Sequence, residues 1–123
     1  MDMFAAETAL AEWVAQKVSL PFNRRVFPGD LPSSLAEGIG VAFSQGLSKG
    51  PDRLNEMEAI VEFFFSDRTE LENHLRMLLE ALPAYASGNF AEISLGSHLK
   101  ISRFHRREIP VHRVAVPLKV AFV

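Results

Sequence analysis

Residues 57–82 read MEAIVEFFFSDRTELENHLRMLLEAL, and they decide the fold. The first nine alternate. Ala59, Val61, Phe63 and Phe65 fall on one face of a strand, and Glu58, Ile60, Glu62 and Phe64 on the other. The pattern then changes period. Asp67 followed three residues later by Glu70 is a helix-opening D-x-x-E box. Leu71, Leu75, Leu78, Leu79 and Leu82 recur at helical spacing, and Pro83 stops the run. A strand that feeds a packing helix through almost no linker is the nucleus of an α+β domain.

The flanks extend this unit in both directions. Residues 3–18 place Ala6, Leu10, Trp13, Val14 and Lys17 at helical spacing, behind Asp2 as N-cap and ahead of Pro21. Trp13 there reads as a core aromatic. Residues 23–27 suggest a short strand, PGDLP a turn, and Ser33–Ser34 one helical turn. In IGVAFSQ (39–45) Ile39, Val41 and Phe43 share one face, while Gly40 and Ala42 on the other suit close packing by a helix. Residues 46–56 lack periodicity and predict a long hairpin connection. Residues 84–90 read as a turn. The last third reads as two or three antiparallel strands, of which AEISLGSHLKISRFH comes first, broken or bulged at Gly96 and Ser97. RREIP turns, and the last strand carries Val114, Val116, Leu118, Val120 and Phe122 on one face. Pro117 in it cannot donate to a ladder. It predicts an edge strand, or a site turned away from a partner. The expected fold is α+β: a mostly antiparallel sheet of about five to six strands with two packing helices, in the order α-β-β-β-α-β-β.

A chain of 123 residues without cysteine is expected to form one domain with an unstapled core. Acidic residues where a signal peptide needs positive charge, and no apolar run near the ~20 residues of a membrane span, predict a soluble protein made in the cytoplasm with no membrane contact. The net charge of −2 conceals a split. Residues 1–92 hold seven Lys/Arg against fourteen Asp/Glu, and residues 93–123 hold six against one, Glu108. Such a split serves nucleic-acid contact, or head-to-tail contact between copies. Equally, the two sets neutralise each other inside one fold.

No residue pattern announces catalysis. Glu58 and Glu62 lie about 13 Å apart along a strand, beyond the roughly 5–9.5 Å of paired glycosidase carboxylates. They are better partners for basic groups. His98, His105 and His112 recur at intervals of seven, which scatters them over both faces of a sheet without Cys or Asp among them. No G-x-S-x-G elbow or phosphate-binding loop is present. The basic cluster is Lys100, Arg103, Arg106, Arg107, Arg113 and Lys119. It suits phosphates, with Phe104 as its interleaved aromatic, or the acidic surface of a neighbouring subunit.

Taken in order, the leading helix, the "PGDLP…IGVAF" segment, the long loop, the "EAIVEFFFSDRTELENHLRMLLEALP" unit and the closing "HRVAVPLKVAFV" strand resemble the tail-terminator and tail-completion (minor capsid) proteins of tailed bacteriophages. The resemblance spans nearly the whole chain and rests on element order and apolar pattern. It implies a single tail-terminator-like domain, with no turnover and no cofactor. Such a subunit forms a homo-oligomeric ring, usually a hexamer, in the virion tail, after assembly in the host bacterial cytoplasm. It caps the tail tube and joins it to the head, with tail-tube and head-tail connector proteins as partners. Under this reading Glu58, Glu62, Lys100, Arg103, Arg106, Arg107 and Arg113 are the expected subunit or partner interface. Lys49 and Arg53, on the 46–56 loop, face the lumen or tube and make transient contact with DNA. The alternative is a nucleic-acid-binding α+β module using the basic C-terminal third; a small enzyme without a motif is a third class.

Overall fold

The structure is a computed structural model that describes residues 2–44, 48–49 and 54–123, with the backbone alone at 48–49. Helix α1 spans Met3–Val18. The Asp2 side chain accepts from the Ala5 N–H at 2.8 Å, and Ser19, at φ 58°, closes the last turn by donating to Ala15 and Gln16 carbonyls. Strands β1 (Val26–Pro28), β2 (Gly38–Phe43), β3 (Ser48–Lys49) and β4 (Asn55–Phe65) follow. Helix α2 (Arg68–Glu80) comes next, then β5 (Ala84–Ser87), β6 (Phe90–Leu95), β7 (Lys100–Arg106) and β8 (Ile109–Phe122).

This is an α+β fold with a mostly antiparallel sheet and two packing helices, as the alternating and helical patterns predict. The sheet runs β1-β2-β4-β8-β6-β5, with β3 beside β4 and β7 beside β8. Among the described strands β1 and β2 pair in parallel and the other pairs are antiparallel. The long strands β4 and β8 sit at the centre, in register from Asn55↔Phe122 to Phe65↔His112. Their alternation puts Met57, Ala59, Val61, Phe63 and Phe65, with Val114, Val116, Leu118, Val120 and Phe122, on the helix side, all buried. Ala6, Leu10, Val14 and Val18 of α1 and Leu71 and Leu78 of α2 close that core. Fully burying an aliphatic or aromatic side chain contributes about 1.5–3 kcal/mol, so this one layer supplies most of the driving force.

Several expectations are corrected. Residues 84–87 form β5 instead of a turn, whereas AEISLGSHLKISRFH breaks after Leu95, the first of its two expected forms, into β6 and β7 along the same side of β8. Part of the expected 46–56 loop is strand, since Ser48 and Lys49 pair with Glu56 and Asn55. Arg53 and residues 46–47 and 50–52 of that loop lie outside the described residues, as does the Lys49 side chain. Ser33 and Ser34 form no helix; they sit in a hydrogen-bonded turn closed by Leu35 N–H donating to the Pro32 carbonyl at 3.0 Å.

Pro117 lies in a central strand, not at an edge. Its carbonyl accepts from Gly96 N–H at 2.8 Å. The N and C=O of one strand residue point the same way, so the missing donor of Pro117 faces the junction where β6 gives way to β7. The proline costs no ladder bond because the ladder is interrupted there.

Gly40 is packed by a loop rather than a helix. The β1–β2 crossover, residues 29–37, crosses the sheet face opposite the helices, and Leu31 joins Phe64 and Val111 in a second small core with Phe27 and Leu35. A Cβ on Gly40 would stand 2.7 Å from Leu31 N and 2.9 Å from Gly29 O. The glycine therefore lets the crossover lie on the strand.

Candidate partner interface

The expected site residues separate into groups that the fold has used and groups it leaves outside. Arg113 faces Phe64 in the β4–β8 register, one step from Glu62, and the diagonal closes an ion pair. Arg113 donates to Glu62 Oε2 from Nη2 at 2.6 Å and from Nε at 2.8 Å. Both side chains are about three-quarters buried, with 26% and 24% exposed. These two residues are a strut inside the fold.

Arg106 is also committed. Its guanidinium donates to the carbonyls of Leu31 (3.2 Å), Pro32 (2.9 Å) and Leu35 (3.1 Å), and its carbon lies 4.7 Å from the Phe64 ring centre. It clamps the crossover loop to the β7–β8 hairpin. Phe104, half exposed, meets the other side of that cluster edge-to-face with Phe64 at 6.1 Å.

Lys100, Arg103 and Arg107 remain exposed, with no ion pair or hydrogen bond among the described residues. Lys100 and Arg103 stand on β7, which pairs only with β8. Arg107 and Glu108 are the two-residue hairpin turn, at φ 50° and 64°, the all-positive geometry of a tight antiparallel turn. Lys119 is exposed opposite Glu58 in register, on the face away from the helices.

On the helix face, β7 extends past the shelter of α2. The space between them is an open groove of about 490 Å³ whose apolar floor is Leu71, Leu75, Val114 and Ile101. Arg68 and Arg103 stand at its borders. Ile101 is 77% exposed. A second depression of about 320 Å³ adjoins it along Leu75 and Leu79. The acidic groups on this bank, Glu72 and Glu80, are held by Arg68 and Arg76 one helical turn away. Sequence reading missed the groove, because Leu75 and Leu79 look like any core leucines. The one signal was an unpartnered Ile101 inside a basic strand.

The groove does not assemble a nucleophile with a base. His112 and Ser102 both border it, yet Arg103 opposes His112 and Arg113 opposes Ser102, so their side chains belong to opposite faces. The hairpin reverses parity between His105 and His112 and returns them to one face, while His98 sits in the β6–β7 connection. Among the described residues no three His, Cys, Asp or Glu could hold a metal ion together. His74 has a framework role instead: its Nδ1–H donates to the Val18 carbonyl at 2.8 Å, and the ring stacks on Phe65. Glu37 is held by a serine at the β4–α2 junction. Hydrogen bonds from the Ser66 hydroxyl and backbone N–H, both at 2.6 Å, hold its carboxyl below the ordinary 4.5.

No protein-family model matches this chain, and no curated protein matches it either. No helix among the described residues is long and apolar enough to cross a membrane.

Proposed function

We propose that the chain is a structural assembly subunit of the tail-terminator kind. It associates head-to-tail with copies of itself into a ring, caps a tube and passes it to a connector, with no turnover chemistry. The observation that carries this reading is the charge left over after folding. Glu62 and Arg113 cancel internally and Arg106 is spent on the crossover loop. Lys100, Arg103 and Arg107 stay together on one projecting hairpin, while Glu12 and Glu58 stay exposed on other elements. A heterologous contact requires two different complementary patches on one subunit; the cationic hairpin is the candidate for one, and the exposed acids on other elements are candidates for the other.

The same hairpin supports nucleic-acid binding as a second reading, because its cations lack carboxylate partners. Replacing Lys100, Arg103 and Arg107 together by Glu separates the two. Arg106 is left alone, since its loss would loosen the crossover loop. The ring reading expects a smaller assembly in light scattering with unchanged oligonucleotide binding. Loss of a steeply salt-dependent oligonucleotide affinity, at constant assembly size, would replace it with the nucleic-acid reading.

A further inference from the structure

We infer that the outer edge of β7 is a strand-addition site for an extended acidic segment of a protein partner, with apolar residues at alternate positions. Three features converge on one strand. First, among the described residues β7 pairs with β8 along one side only, so its other side offers unpaired backbone donors and acceptors over Lys100–Arg106. β6, which continues the same side of β8, is covered by β5. Every β7 residue except Arg106 is exposed. An open edge of this kind is a template for another strand.

Second, the side chains beside the edge specify the occupant. By register, Ile101 and Arg103 share the helix face with Val114 and His112. An added strand sends every second side chain to that face. There it reaches the exposed Ile101 and the half-buried Leu75 at the mouth of the groove, above the buried Leu71 and Val114. Apolar residues at alternate positions of the partner fill that groove.

Third, the charges select the sign. Among the described residues Lys100 and Arg103 on the edge, and Arg107 at its end, have no ion-pair partner, whereas Glu72 across the groove is held by Arg68 at 2.9 Å. Two β7 strands from two copies would bring like charges together, which disfavours the symmetric edge-to-edge dimer. An acidic strand gains where the copy is repelled. The floor is aliphatic, and the exposed aromatic of β7, Phe104, is already engaged with Phe64 on the opposite face. That favours a peptide over stacked bases. The inference rests on the assembly reading only in taking the partner to be a protein, and it requires no ring.

The test uses the full chain and a pool of octapeptides that alternate Glu or Asp with Val, Ile, Leu or Phe. Binding is followed by fluorescence anisotropy, and hydrogen exchange maps protected amides. The expected result is saturable binding that protects alternate amides of β7 and weakens about tenfold or more in Arg103→Glu and in Ile101→Glu. Both substituted side chains are exposed, so folding is unaffected, and circular dichroism verifies this. No binding by the pool, binding without β7 protection, or displacement of the peptide by a single-stranded oligonucleotide that takes up the same edge overturns the inference. Light scattering is recorded in parallel. A chain that stays monomeric yet takes up the peptide rejects the ring and keeps the strand site.

Discussion

Arg113 meets Glu62 at 2.6 Å across the two central strands, and this contact removes one acid and one base from the surface charge split. Each side chain is about three-quarters buried, so removing either alone leaves a poorly hydrated charge. In a double-mutant cycle of Glu62→Gln and Arg113→Met, read by urea unfolding, the expected coupling is about 1 kcal/mol. The expected effect on assembly size is none. A change in oligomer without a change in stability would return the pair to the interface.

Arg106 connects residues 31–35 to the far hairpin through three carbonyl bonds and the Phe64 ring. Arg106→Ala should cost about 2–3 kcal/mol. Amides of the crossover should exchange faster in that variant. Lysine should recover little of the loss, because an ammonium cannot reproduce the planar fork.

Gly40→Ala tests the packing of the crossover on the sheet. The new Cβ meets backbone atoms at 2.7 and 2.9 Å, and backbone cannot swing aside as a flexible side chain does. The expected destabilisation is about 2 kcal/mol or more, measured as a lowered urea midpoint. Ala42, next on the same face, should tolerate Ser with a far smaller effect.

Glu37 gives the fold a defined acid sensitivity. Its folded-state pKa is lowered, first by the Ser66 hydroxyl and then by the Ser66 N–H. A lowered folded value means stability present above the unfolded pKa and lost as pH falls through the folded one. The advantage of the native chain over Glu37→Gln should therefore be full near neutrality and shrink below about pH 4.5. Urea midpoints of the two proteins against pH measure this. A constant gap down to pH 2 would contradict it.

The β7–β8 turn holds two non-glycine residues, Arg107 and Glu108, at positive φ. Left-handed backbone costs ordinary side chains about 1–2 kcal/mol per residue. Replacing the pair by Asn-Gly should raise stability by about 1 kcal/mol. If Arg107 serves assembly, the same exchange should also weaken association.

The regular elements were legible where periodicity is strong. The expected helix over 3–18 matches α1, the expected strand 57–65 lies inside β4, and Asp67 caps α2. Glu70 was read as the second half of a capping box, yet its carboxylate turns to Arg25 at 3.3 Å, a tertiary contact no local pattern encodes. β5 hid behind the turn residues of AYASGNF, because an outer strand carries little apolar alternation. The break between β6 and β7 was legible at Gly96 and Ser97, and Pro117, whose missing donor faces that gap, lies opposite it. The expected interface was partly legible. Residue type marks Lys100, Arg103, Arg106, Arg107 and Arg113 alike as basic. Only the register shows that Arg113 reaches Glu62, and only the crossover shows that Arg106 is consumed.

The central claim is self-association of a structural subunit. The most direct measurement is size-exclusion chromatography with light scattering, across protein concentration and salt, with electron microscopy of the peak. The account predicts a closed oligomer that salt weakens and that Lys100, Arg103 and Arg107 support. A strict monomer at high concentration and low salt, with no rings on the grid, would contradict it.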